Sequence, residues 1–511
     1  MVLGTRAGAA ANPPIRSKVL ILGAGASGIS AALKLQQNNI SDIKIIEATA
    51  NVGGRVTHQP FGHGSMVELG ANWIYGKGKN PIHRLAKRYG LKTAPSDKKK
   101  VVYFTEEGSF HQSQGEKWSK DFNVVMKKMV RIANDQVDLS SRTALELLGW
   151  QPDCPVKAAI EYFGIDWELA EPPETCSLDY AAGTVDLVSG SFPLGDEFVV
   201  DQRGFNYVLQ QEAAKLANLG DADGPVFYFN TTVTRIQYDN HSVTVETTDG
   251  TIFIADYAIC TFSLGVLQNK DVLFEPAFPQ WKREALLSFH MTTYTKIFLN
   301  FEHAFWDNWQ FALYASNKTK QGDYTVWQNL AGPKFRASPH DNILMVTTTG
   351  KESVRLEAKT DKEIEAEVLK VISKMFPGQT IPTPQQIMIP RWHSNPLFRG
   401  SYSNWALGAS IQHQENMQAP LPVADHPRLW FAGEAYSMRY YGYLHGAWLN
   451  GKEVAQHISQ CYHSDQCPSY HYHPLVTSCY ADTQQHRRSL MQSRSLPNPS
   501  SHPYQSHFSI H

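Results

Sequence analysis

The stretch VLILGAGASGISAALKL, Val19–Leu35, decides the fold of this 511-residue chain. A short apolar strand runs into Gly23-x-Gly25-x-x-Gly28, and a helix with Ile29, Ala32 and Leu33 on one face follows. Gly23 permits the tight turn, Gly25 lets the backbone approach a pyrophosphate, and Gly28 allows close packing of helix on strand. The first-turn amides and the helix dipole then face the phosphates. A second strand, Ile43–Ile46, ends at Glu47, about 20 residues past the last glycine, where an acidic side chain accepts hydrogen bonds from an adenosine ribose. Alone, the glycine pattern reads equally as a surface turn. Strand, turn, helix, second strand and acid in this order make it a dinucleotide-binding unit.

Outward from this unit, strand-like runs occur at 18–22, 43–47, 226–229, 242–247, 257–261, 295–301, 342–348 and 429–432. Helical patterns cover about 26–38, 80–89, 116–135, 205–218, 361–375 and 444–459, estimated from apolar periodicity. The mixture predicts an α/β core with an α+β insertion and no internal repeat. With 47 Lys+Arg against 48 Asp+Glu there is no broad basic field, so nucleic acid is not an expected partner. No run of about twenty apolar residues supports a membrane span. The N-terminal Met1–Arg16 lacks an apolar signal core, the terminal Ser-Ile-His is not a peroxisomal signal, and six cysteines in 511 residues make no disulfide framework. These features predict a cytoplasmic protein in a reducing compartment. Residues 1–16 are expected to be flexible, and the Ser/His-rich 464–511 a disordered tail without metal-site spacing.

Past Glu47, two glycines and an arginine occur in Asn51-Val-Gly-Gly-Arg-Val56, followed by Glu68-Leu-Gly-Ala-Asn-Trp73, Phe431-Ala-Gly-Glu434 and Tyr441-Gly-Tyr-Leu-His-Gly-Ala447. A second patch of backbone and charge around the pyrophosphate suits a long, buried FAD better than exchangeable NAD. At these residues, together with DQRG (201–204), SLGVL (263–267), YTKIF (294–298) and GSYSNW (400–405), the chain resembles the flavin-containing amine oxidases, and among them the plant-type polyamine oxidases, over about 17–460. The resemblance implies a discontinuous, Rossmann-like α/β FAD-binding domain (17–90, 205–290, 405–461) and an α+β substrate-binding domain (91–204, 291–404). It also implies non-covalent FAD, since no cysteine lies between Cys260 and Cys461 to carry a flavin link. Carried over by position, the cofactor would be held by Gly23, Gly25, Ser27, Gly28, Glu47, Ala48, Gly53, Gly54, Arg55, Gly70, Ala71, Asn72, Gly433 and Glu434, with Val233 at the adenine. Trp73 and Trp392 would pack beside the flavin ring, and Tyr443 and Leu444 would lie near the substrate.

Lys296 also stands out by pattern: alternation in Tyr294–Phe301 puts Tyr294, Lys296 and Phe298 on one strand face. Such a lysine either snorkels at a sheet edge or reaches into a polar cavity. The resemblance favours the cavity, where it would position a water at the flavin. A long polycationic amine needs carboxylates for its ammonium groups. Glu171 in Leu169-Ala-Glu-Pro-Pro173 is the candidate, because Pro172 biases it toward an extended conformation. Tyr402 and Tyr443 match positions flanking the substrate amine, where ring faces favour a cationic nitrogen. Tyr75 stands where some polyamine oxidases have Glu or His, so one expected acidic contact is absent. The expected reaction is oxidation of a polyamine with oxygen as acceptor. A monoamine or amino-acid oxidase and a silent FAD-binding protein are the alternatives, and the oligomeric state is left open.

Overall fold

The residues that make the first strand also bury it. In β1 (Ile15–Leu22) the last four side chains are inaccessible, as are all four in β2 (Ile43–Ile46). Such runs suit parallel strands covered on both faces. The computed structural model describes residues 13–473 except 97, 99, 133–137, 180–191, 193–194, 220–223, 317–322, 337, 465 and 471. β1 pairs in parallel with β2 on one side and with the strand Ile252–Cys260 on the other, Leu22 lying opposite Cys260. The sheet runs Phe227–Tyr228, β2, β1, Ile252–Cys260, Val243–Thr247, Val233–Tyr238, Leu273–Glu275, and Leu429–Phe431 also pairs with the end of Ile252–Cys260. Strand β1 begins at Ile15, opposite Phe253. The chain is thus ordered two residues inside the stretch expected to be flexible.

Between β1 and β2 runs α1 (Ala26–Gln37), packed against the C-terminal helix Leu444–Ser464. A Cβ on Gly451 would lie 2.2 Å from the Ser27 carbonyl, so the two helices touch backbone to backbone.

A second, seven-stranded sheet is built from later residues, in the order Gln386–Met388, Tyr294–Phe301, Asn342–Thr349, Val326–Asn329, Phe311–Ala315, Val101–Thr105, Gly108–Ser109. Alternation divides its side chains between two cores. Ile297, Leu299, Leu344 and Val346 meet Ile364, Val368 and Ile372 of the helix Asp361–Met375. Phe298, Ile343 and Met345 share the other core with Ala159, Ile160 and Trp167 of the helices Pro155–Gly164 and Asp166–Leu169. The two-stranded pair Phe289–Thr292 and Tyr402–Trp405 lies outside both large sheets.

Two expectations fail at the C-terminal end. The chain beyond 464 was expected to leave the fold, yet His473 donates its N–H to Asn416 at 2.7 Å, and the rings of Tyr472 and Trp281 lie 5.2 Å apart. Aromatic and amide groups dispersed in a polar stretch supply these contacts without apolar periodicity. Cys461 and Cys467 form one disulfide across six residues, against the reducing compartment that the cysteine pattern suggested. The expected tail at 474–511 lies outside the described residues. Among the described residues, no helix is long and apolar enough to cross a membrane.

Candidate active site

A cavity of about 550 Å³ runs from the glycine turn after β1 to the face of the second sheet that carries Lys296. At the first end, α1 starts at Gly25 with no side-chain cap and no acidic residue in its first turn. Its early N–H groups are therefore left for a ligand. Ser27 Oγ is buried there without a partner among the described residues. Gly25 has open space where a Cβ would be, and it bridges Gly53 across the gap. Gly53 itself has φ +125°, and a Cβ would stand 2.5 Å from Asn206 Oδ1, so only glycine fits. Glu47 accepts from the Ala24 N–H and the Thr49 N–H, both at 2.8 Å, and from Thr49 Oγ1 at 2.7 Å. A carboxylate has about four acceptor directions, which leaves one for a sugar hydroxyl.

Farther in, Arg55 pairs with Glu434 at 2.9 Å and donates to the Ser401 carbonyl. Glu434 also accepts from Ser403 Oγ at 2.5 Å and the Gly442 N–H at 2.8 Å, tying the separated motifs together. Lys296 is 3% exposed and donates to the carbonyls of Glu68 (3.0 Å) and Gly70 (2.6 Å). Burial pushes its pKa down to about 7, and burial pushes the neighbouring Glu68 up to about 8. The snorkelling alternative is excluded by this burial.

At the far end the wall is aromatic. Tyr75 and Tyr443 meet edge to face at 4.8 Å, Trp73 and Trp167 at 5.5 Å, and Tyr294 lies 6.2 Å from Tyr402. Burial raises the pKa of Tyr75, Tyr402 and Tyr443 well above the usual phenol value, so all three stay protonated. Glu168 brings the carboxylate: Tyr443 donates to its Oε1 at 3.2 Å, and Tyr402 donates to its backbone carbonyl at 3.0 Å.

The wall contains Gly23, Gly25, Ser27, Glu47, Ala48, Gly53, Gly54, Arg55, Gly70, Ala71, Asn72, Trp73, Tyr75, Val233, Lys296, Trp392, Tyr402, Gly433, Glu434, Tyr443 and Leu444. Two expected residues stand apart. Gly28 is turned into the helix–strand contact, where a Cβ would lie 2.0 Å from the Gly23 carbonyl. Glu171 is absent from the wall. Its Oε1 lies 2.5 Å from His290 Nδ1, and Asn404 donates to Oε2 at 3.3 Å. The cause lies between the two acids. The helix Asp166–Leu169 aims Glu168 inward, and Ala170, left-handed at φ 58°, turns the chain so that Glu171 points to the strand pair behind. Sequence reasoning chose the acid beside the prolines and passed over Glu168, three residues earlier. It also missed Trp167, which lies in no quoted motif, and assigned no role to Tyr294 and His445, although YTKIF and the 441–447 stretch contain them. His445 is buried with Nε2 unpartnered among the described residues, and burial lowers its pKa to about 3.

The family model described as flavin containing amine oxidoreductase matches residues 26–459. The chain belongs to this family. Among curated relatives, polyamine oxidase 1 of Zea mays is 35% identical over 486 residues, covering 89% of this chain and 92% of the relative. Polyamine oxidase 6 of Oryza sativa subsp. japonica is 36% identical over 485 residues, covering 88% and 92%. The structure of a putrescine oxidase with bound putrescine superposes with a TM-score of 0.68 at 18% identity, over 87% of this chain and 99% of that one. The fold is thus that of the amine oxidases: a Rossmann-like α/β sheet with its own core and a second, α+β part. An FAD fits the observed cradle, because the uncapped helix start, the orphaned Ser27 hydroxyl, the facing glycines and the spare acceptor of Glu47 are the groups that a nucleotide diphosphate needs. When bound, FAD supplies the two-electron acceptor that side chains lack.

Proposed function

We propose that this chain oxidises polyamines of the spermidine, spermine or thermospermine class at a carbon beside a secondary amine. Water and oxygen complete the reaction, and the products are an aminoaldehyde, a shorter amine and hydrogen peroxide. The observation that carries this reading is the pairing of buried Lys296 with the Glu168–Tyr443–Tyr402 group at the aromatic end of the same cavity. The tyrosine faces hold a partly charged nitrogen and exclude water, while the Glu168 carboxylate accepts an ammonium group farther along the substrate. Lys296, held by two carbonyls, positions a water at the reaction centre. Glu47, Arg55, Glu434 and the facing glycines hold the cofactor, and Val233, Trp392 and Leu444 line it. Residues 17–90, 205–290 and 405–461 act as the FAD-binding domain, and 91–204 and 291–404 as the substrate-binding domain.

The cytoplasmic location expected from the sequence is opposed by the Cys461–Cys467 disulfide, a bond that persists in oxidising compartments. A thiol count on the native protein from its own cells separates the two. The activity test uses purified protein. It should be yellow, release FAD on denaturation, and form peroxide with spermidine, spermine, thermospermine or their acetylated forms. A colourless protein sinks the cofactor assignment, and a yellow one that oxidises only monoamines sinks the substrate assignment.

A further inference from the structure

The ammonium of Lys98 lies against the substrate end of the cavity. Its Nζ is 3.3 Å from Glu168 Oε2 and 3.7 Å from Asp196 Oδ2. It sits over two ring faces, 5.2 Å from the centroid of Tyr75 and 5.1 Å from that of Trp167. Tyr75, Trp167 and Glu168 all belong to the cavity wall. Two carboxylates and two aromatic faces are what an alkylammonium group requires, and here a side chain of the protein takes that place. The Lys98 side chain is 27% exposed, and its stem is long enough to carry the charge out to water.

We infer that Lys98 is a tethered competitor for the distal ammonium of the substrate and sets the preference between free and N-acylated polyamines. The inference rests on the polyamine reading above. A polyamine with a free terminal ammonium gains the Glu168–Asp196 site only by displacing Lys98, so it exchanges one cation for another and gains less than it would from an open site. An acylated polyamine ends in a neutral amide and has no charge with which to contest the carboxylates. Its carbonyl can accept a hydrogen bond from the lysine instead. The lysine therefore weakens binding of the free polyamine selectively. Asp196, held by the N–H of Gly76 at 3.1 Å, stands near Tyr75, where the sequence lacks an acid.

The test compares FAD-loaded wild type, Lys98→Gln and Lys98→Arg, measuring KM for spermidine and for an N-acetylated spermidine through peroxide release. Lys98→Gln should raise the ratio of acetylated to free KM about 3- to 10-fold, chiefly by lowering the free value, as expected for freeing a part-exposed ion pair with two cation–π contacts. Lys98→Arg, which keeps the charge, should retain the wild-type discrimination. A higher KM for spermidine in Lys98→Gln, or an equal change for both substrates, overturns the inference and makes Lys98 a structural pin. If the wild type oxidises other amines but neither polyamine, the polyamine reading itself fails and this inference falls with it. An unmoved ratio in an active polyamine oxidase refutes the role of Lys98 alone.

Discussion

Replacing Glu168 by Gln keeps the size of the side chain and removes its charge. In the folded protein that carboxylate accepts from Tyr443 at 3.2 Å, faces Lys98 at 3.3 Å and is 17% exposed. A hydrogen bond from an ammonium to a carboxylate contributes about 1.5–3 kcal/mol. Lys98 already neutralises part of the charge, so the lower half of that range applies. At about 1.4 kcal/mol per tenfold, Glu168→Gln should lower kcat/KM for a polyamine roughly 10- to 40-fold. The assay is initial peroxide release at saturating oxygen, normalised to bound flavin, with the melting temperature measured in parallel. Glu171→Gln is the control. Its carboxylate serves His290 and Asn404, so its loss should lower the melting temperature with less than about a threefold effect on KM, since it removes buried hydrogen bonds and no substrate contact. A Glu168→Gln enzyme within about threefold of wild type, beside a Glu171→Gln enzyme that loses more than about tenfold at unchanged stability, refutes the assignment.

Three further outcomes follow from the same geometry. The hydrogen bond with Glu171 raises the pKa of His290, so its stabilising contribution is fully present below the unfolded value near 6.5 and is lost as pH rises through the folded value. The melting-temperature gap between wild type and His290→Gln should therefore be larger at about pH 6 than at about pH 9, and an equal gap at both refutes the charged pair. Lys296→Met should retain FAD, because the lysine bonds protein carbonyls, while turnover or flavin reoxidation in stopped flow slows; a protein that fails to fold would make Lys296 structural. Gly28→Ala drives a Cβ into the Gly23 carbonyl, so the purified protein should lose bound flavin, read as the ratio of visible to ultraviolet absorbance. An unchanged ratio contradicts the tight helix–strand contact.

How legible the molecule is from sequence depends on whether chemistry is local. The βαβ unit can be read because each glycine answers a demand made within about thirty residues, and Glu47 follows from the same unit. The strand carrying Lys296 is legible as alternation, yet only its neighbours tell cavity from surface, and the strand Asn342–Thr349 on one side makes it interior. Phe311–Ala315 and Val326–Asn329 escape because both faces of each are buried, which erases the alternation that marks a strand. The misplaced acid is the most instructive case. Pro172 restricts the backbone of Glu171, but the direction of the side chain there depends on one left-handed residue, Ala170, which no propensity favours. Ala170 is fully buried, and the carbonyl of Glu168 and the carboxylate of Glu171 both find partners on the strand Tyr402–Trp405, through Tyr402 and Asn404. Tertiary hydrogen bonds from a strand more than two hundred residues away thus hold the turn. The direction of two glutamates three positions apart is set by that distant strand, so local sequence reasoning had the right segment but selected the acid that the fold turns away from the cavity wall.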